Sequence, residues 1–196
     1  MLQLNIDVLV LIFKKLQDRK SLHSCLLVNR EWCCLVVPIL WKEYSWREYY
    51  INGSIFFNTI LSFLPSSSKQ FLSDNDIKLP STILLKPPLY SYISFCDFPD
   101  NQVVKRIIEM VLGDLDSHDK GRNLLEQEIY KLFVSQCKDI KNLYWMTSQP
   151  LPSFQGAFTC LSQLDYLSID LNYVNSNVEY IIIDNYSQDI PGLISN

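Results

Sequence analysis

Two stretches of this sequence gather residue types that bind metals or move protons. One holds His23, Cys25, Cys33 and Cys34; the other, Asp114 to Gly121, reads DLDSHDKG and sets three aspartates around His118. Thiolates and imidazoles make zinc sites when they recur at Cys-x2–4-Cys and His-x3–5-His spacings. No CxxC occurs among the six cysteines at 25, 33, 34, 96, 137 and 160, and the adjacent Cys33-Cys34 pair fits no such pattern. A calcium loop needs oxygens at alternate positions, a central glycine and a distant glutamate. Residues 114–121 lack that register and are expected to form a solvated turn. There is no GxSxG nucleophile elbow and no GxxxxGK[ST] phosphate loop, and only five glycines and two histidines are present. These absences point away from an enzyme, with no catalytic residue, no metal and no cofactor expected.

Composition narrows the remaining classes. Hydrophobic residues at 48% against 19% charged exclude a disordered chain. A net charge of −4 and a pI near 5.1 argue against a phosphate-backbone partner. Lys14-Lys15 and Lys105-Arg106 are isolated basic pairs, not a patch, so no nucleic acid is expected. No apolar run reaches the roughly twenty residues a membrane span needs, and no signal-peptide pattern opens the chain. The expectation is a cytoplasmic and/or nuclear protein with reduced cysteines.

The elements that organise the chain lie at its N-terminus. Residues 1–41 predict three short helices, with Asn5, Ser21 and Asn29 as caps and Pro38 as the final stop. The run Val8 to Phe13, VLVLIF, is too apolar for a helix that only covers its own neighbours. Leu9, Phe13 and Leu16 fall on one face, Val8 and Ile12 on the next, and Leu22, Leu26 and Leu27 on the apolar side of the second helix. The surplus apolar surface has to be covered by the rest of the chain or by a partner.

Leu4, Asp7, Leu9, Ile12, Phe13, Leu16, Leu22, Cys25, Val28 and Trp32, followed by Leu40-Trp41, stand at the intervals of the F-box pattern, which this stretch resembles. Asn5 replaces the family's usual proline and Asp7 its frequent glutamate, and both suit a helix start. The resemblance implies docking to a Skp-type adaptor and, through it, to a cullin–RING ubiquitin ligase. It assigns adaptor contacts to Leu4, Asn5, Val8, Leu9, Ile12, Phe13, Leu16, Leu22, Val28 and Trp32. Such a subunit performs no chemistry and raises the local concentration of a substrate beside the conjugating enzyme.

Residues 42–137 predict a helical bridge. Its aromatic run, Tyr44 to Phe63, is read as core in preference to a ligand cage. Helices are expected over Ile55–Leu64, ended by Pro65, over Leu89–Phe95, from a cap at Asp100 or Asn101 to Gly113, and over Asn123–Cys137. The stretch Gln70 to Pro80 is expected to be a polar connection.

Residues 138–196 carry a second pattern. Leu164-x-x-Leu167-x-Ile169-x-x-Asn172 resembles the strand of a leucine-rich repeat, and Ile140-x-x-Leu143-x-Trp145 begins the same way 24 residues earlier. Val178-x-x-Ile181-x-Ile183 follows after only 14, too few for an outer helix. The predicted class is therefore mainly α with a small β component: a three-helix F-box, a helical bridge and a short repeat-like α/β end. F-box, bridge and repeats stand in the order of fungal-type F-box proteins with leucine-rich repeats, apparently truncated in the repeats. That resemblance implies a substrate-recognition subunit whose outward strand positions, Tyr144, Met146, Ser168, Asp170, Ile182 and Asp184, meet an unidentified protein substrate. The alternative is an adaptor-binding decoy or regulator that delivers nothing.

Overall fold

A computed structural model describes residues 5–16, 18–44, 46, 49–84, 88, 90–113, 120–137, 140–145, 164–170 and 180–184. The described chain is mainly helical, with a small three-stranded sheet at its C-terminal end.

Three helices open it: α1 (Ile6–Lys15), α2 (Arg19–Leu26) and α3 (Arg30–Tyr44). Asn5 caps α1, its Oδ1 accepting from the Asp7 N–H at 2.9 Å, and Lys14 and Lys15 complement the carbonyl end. The cap of α2 is Asp18, not Ser21: its carboxylate accepts from the Lys20 and Ser21 N–H groups at 3.1 and 2.8 Å. A carboxylate reaches both donors where the shorter Ser21 hydroxyl, three residues along, instead bonds Asp18 itself. Those bonds, the Ser21 hydroxyl first, hold the Asp18 carboxyl below its ordinary value. Asn29 caps α3 as expected, accepting from the Trp32 N–H at 2.8 Å.

Pro38 does not end α3; the helix runs six residues beyond it to Tyr44. A mid-helix proline costs about 3 kcal/mol. Burial beyond it offsets that cost: Ile39 and Leu40 are in the core, and Trp41 packs against the second half of the molecule. Tertiary packing overrides the local break. The expected boundary at residue 41 thus falls inside a continuous helix.

The trio has its own core of Leu9, Phe13, Leu22, Val36, Ile39 and Leu40. A larger core lies behind it, built by α4 (Tyr49–Ser62), α5 (Ser66–Asp74), a 3-10 turn (Tyr92–Phe95), α6 (Asn101–Leu112) and α7 (Lys120–Gln136). Helix α4 starts six residues ahead of the expected Ile55. The serines after Pro65 open α5, and Gln70 to Asp74, expected in a polar connection, belong to that helix. Lys69 ties the connection together, its Nζ donating to the Ser62 and Leu84 carbonyls at 2.9 and 3.3 Å. Helix α6 follows its predicted bounds: Asp100 accepts from the Val103 N–H, and Gly113 ends it at φ 74°, a left-handed value that suits glycine.

The sheet is ordered β1 (Asn142–Trp145), β2 (Tyr166–Asp170), β3 (Tyr180–Asp184). Strands β1 and β2 are parallel with Asn142 opposite Tyr166, which reproduces the 24-residue offset. Leu143, Trp145, Ile140 and Leu164 enter the same core as α4 to α7. Strand β3 departs from the repeat expectation. It is antiparallel to β2, with Tyr166 opposite Asp184 and Asp170 opposite Tyr180. The short connection 171–179 suits a reversal, whereas a parallel crossover takes a dozen or more residues.

Candidate functional site: an apolar face on the N-terminal helices

Helix α1 is apolar on both sides, and the fold assigns those sides different work. Leu9 and Phe13 point into the trio's core, joined by Leu22 from α2. Half-buried Leu16 and Trp32 close its edge, and the Trp32 ring meets Phe13 edge-on at 5.0 Å. These five residues were expected as adaptor contacts. Leu9, Phe13 and Leu22 are buried in the trio and hold it together, because a short three-helix core needs its largest side chains for itself.

The outward side carries Val8 and Ile12, both exposed, and Val28 in the turn before α3. Sequence reasoning missed three further exposed apolar residues on these helices. Ile6 and Leu11 stand exposed on α1, and Leu27 is 88% exposed at the end of α2. Leu27 therefore leaves the apolar side expected of it, while Leu26 half-buries against the core. The signal for Leu11 was present in the unbroken run VLVLIF, which puts apolar residues all round the middle of α1. Asn5 lies exposed at the head of that face, and Leu4 is outside the described residues.

The second expected surface is set by the strands. Register aligns Tyr144, Ser168 and Ile182 in one row across the sheet, while Asp170 faces Tyr180 and Asp184 faces Tyr166. Residues opposite one another share a sheet face, and parity repeats every second residue. The five described positions therefore have the same parity in the backbone register, with β3 reversed. Met146 lies outside the described residues.

Elsewhere the chemistry-bearing residues are dispersed. His23 Nε2 accepts from Arg19 Nε at 3.1 Å, and burial followed by the Arg19 charge keeps its pKa below the usual value. Five described cysteines are free thiols, and no three His, Cys, Asp or Glu side chains converge among the described residues. Cys160 and residues 114–119, where a turn was expected, lie outside them, while Lys120 and Gly121 already belong to α7. A crevice of about 240 Å³ lies among the end of α1, the second half of α3 and residues 94–97. Lys14, Lys42, Glu43 and Asp97 line it with balanced charge.

Set against family models, curated proteins and solved structures, the chain matches none of them.

Proposed function

We propose that this chain is the substrate-recognition subunit of a Skp–cullin–F-box type ubiquitin ligase, docking the adaptor through its N-terminal helices. The observation that carries the reading is the exposed apolar set Ile6, Val8, Leu11, Ile12, Leu27 and Val28, all outside either core. Exposed apolar residues gathered on one short stretch in this way are the kind of surface that an interaction partner covers. It lies on the stretch whose residues stand in F-box register. The role is non-catalytic, and the sheet face through Tyr144, Ser168 and Ile182 would present the substrate.

A second reading is an adaptor-binding regulator that delivers no substrate. The reversed β3 favours it, because an antiparallel strand turns the sheet back instead of extending a repeat arc.

Reconstitution with a purified Skp-type adaptor tests the shared part. Leu11→Asp plus Ile12→Asp should abolish co-purification while the helical circular dichroism persists; undiminished binding would reject the face. Affinity purification with and without proteasome inhibition separates the two readings. A receptor accumulates a partner protein when degradation is blocked, and a regulator returns the adaptor and cullin alone.

A further inference from the structure

Helix α3 carries two adjacent thiols, Cys33 half-buried and Cys34 exposed. Tyr90, more than fifty residues along the chain, places its hydroxyl 3.5 Å from Cys34 Sγ and 3.6 Å from Cys33 Sγ. A phenol has a single O–H, so it donates to Cys33 and accepts from the Cys34 S–H. The Cys34 contact, then that of Cys33, pushes the Tyr90 phenol above its ordinary pKa, which keeps that O–H in place. Neighbouring helical residues ordinarily diverge by about 100°, yet here both sulfurs converge on one oxygen.

A second feature weakens the backbone at the same point. Pro38 stands four residues after Cys34 and has no N–H, so the helical bond to the Cys34 carbonyl is missing. The peptide beside the thiols can leave helical geometry with one fewer bond to break. Cys96 and Cys137 differ on every count: both are buried, and their thiols donate to the Tyr92 and Ile93 carbonyls.

We propose that Cys33 and Cys34 form a peroxide-reactive dithiol, in which Cys34 is oxidised first, Cys33 resolves it and Tyr90 positions both sulfurs. Cys34 Sγ attacks one oxygen of a hydroperoxide; the S–O bond forms, the O–O bond breaks, and the departing oxygen leaves with the thiol proton. The product is a sulfenic acid plus water or an alcohol. Cys33 Sγ then attacks the Cys34 sulfur; the S–S bond forms, the S–O bond breaks, and hydroxide leaves as water with the Cys33 proton. The thiol pair gives up two electrons and the peroxide takes them. Adjacent Cα atoms are about 3.8 Å apart, short of the usual disulfide span of roughly 4.4–6.8 Å. The bridge is therefore strained, readily reduced by a small thiol, and incompatible with the opening turns of α3. Oxidation reversibly unwinds that end of the helix and releases Tyr90.

The test is hydrogen peroxide titration of the full chain, followed by peptide mapping. Wild type should yield a Cys33–Cys34 bridge, two hydrogens lighter and reversed by dithiothreitol, with loss of helical ellipticity. Cys33→Ser should stop at a dimedone-trapped sulfenic acid on Cys34, and Cys34→Ser should form neither. Tyr90→Phe keeps the ring and should leave the melting temperature unchanged while slowing bridge formation about fivefold, the worth of one hydrogen bond. Oxidation that begins at Cys25, Cys96 or Cys137 would overturn the proposal. So would progression of Cys34 to sulfinic acid in wild type, or a Tyr90→Phe rate equal to wild type.

Discussion

Trp41 lies face to face with Tyr92, their ring centroids 4.5 Å apart and their planes 12° from parallel. Phe56 stacks near the same indole at 5.1 Å, and Phe63 meets Tyr92 edge-on. Trp41 belongs to α3, whose earlier turns build the trio, and it packs against the large core. The two cores are thus joined through one rigid helix and one aromatic stack. Trp41→Ala should cost about 3 kcal/mol, as removal of a packed indole usually does. Urea unfolding followed by circular dichroism should change from one transition to two, since the link is what makes the halves cooperative. A single transition at the wild-type midpoint would refute the link.

The buried and the exposed apolar residues of the N-terminal helices predict opposite phenotypes. Leu9→Ala empties a core position and should destabilise the trio by about 2–4 kcal/mol. Leu27→Asp alters an exposed position and should change stability by no more than about 0.5 kcal/mol. If the proposed docking is right, the same Leu27→Asp should weaken adaptor binding by about 2 kcal/mol or more. Chemical denaturation and calorimetric titration, run on both variants, separate the holding face from the docking face.

How far the sequence discloses the fold depends on how local each signal is. Asn5, Asn29, Asp100 and Gly113 act within one turn of their own backbone, and all four ends follow from residue type. Pro38 carries an equally strong local signal that fails, because the packing of Ile39, Leu40 and Trp41 is decided by residues far along the chain. Helix α5 is hidden by its polar opening, which reads as a serine loop until Ser68 and Leu72 are seen buried. The candidate face was legible as surplus apolar surface on α1. Its membership was not, since six apolar residues in succession cannot say by periodicity alone which of them meet the core. Strand alternation has the same blindness: it fixes parity but not direction, so the reversal of β3 is not written in its pattern.

Asp18 gives the N-terminal trio a pH signature. Its carboxyl is held below the ordinary carboxylate value, first by the Ser21 hydroxyl and then by the backbone N–H groups of Ser21 and Lys20. A folded-state pKa below the unfolded one means that the unfolded chain binds more protons in this window. The contribution of Asp18 is therefore complete above its unfolded pKa and disappears as pH falls through the lower folded value. Asp18→Asn keeps an acceptor for the cap but cannot titrate. Its melting temperature should fall less steeply than wild type between neutral pH and acid, and parallel curves would rule out Asp18 as a contributor.

The reversal of β3 can be tested at the two ends of the strand pair, where the alternatives diverge. In the middle, Ser168 faces Ile182 whether β3 runs antiparallel or continues the 14-residue offset in parallel, so that pair is uninformative. At the ends the antiparallel register places Tyr166 opposite Asp184 and Asp170 opposite Tyr180. A parallel β3 at that offset would instead set 166 beside 180 and 170 beside 184. Directly opposed strand residues approach to about 4.5–5.5 Å between Cα atoms, within disulfide range. Tyr166→Cys with Asp184→Cys should therefore crosslink on mild oxidation, and Tyr166→Cys with Tyr180→Cys should not. Peptide mapping in a Cys33→Ser, Cys34→Ser, Cys160→Ser background keeps the nearby and reactive native thiols out of the readout. Crosslinking of the 166–180 pair would restore a repeat arc with three parallel strands. Crosslinking of the 166–184 pair leaves a sheet that turns back on itself, and with it a small sheet face in place of an extended one.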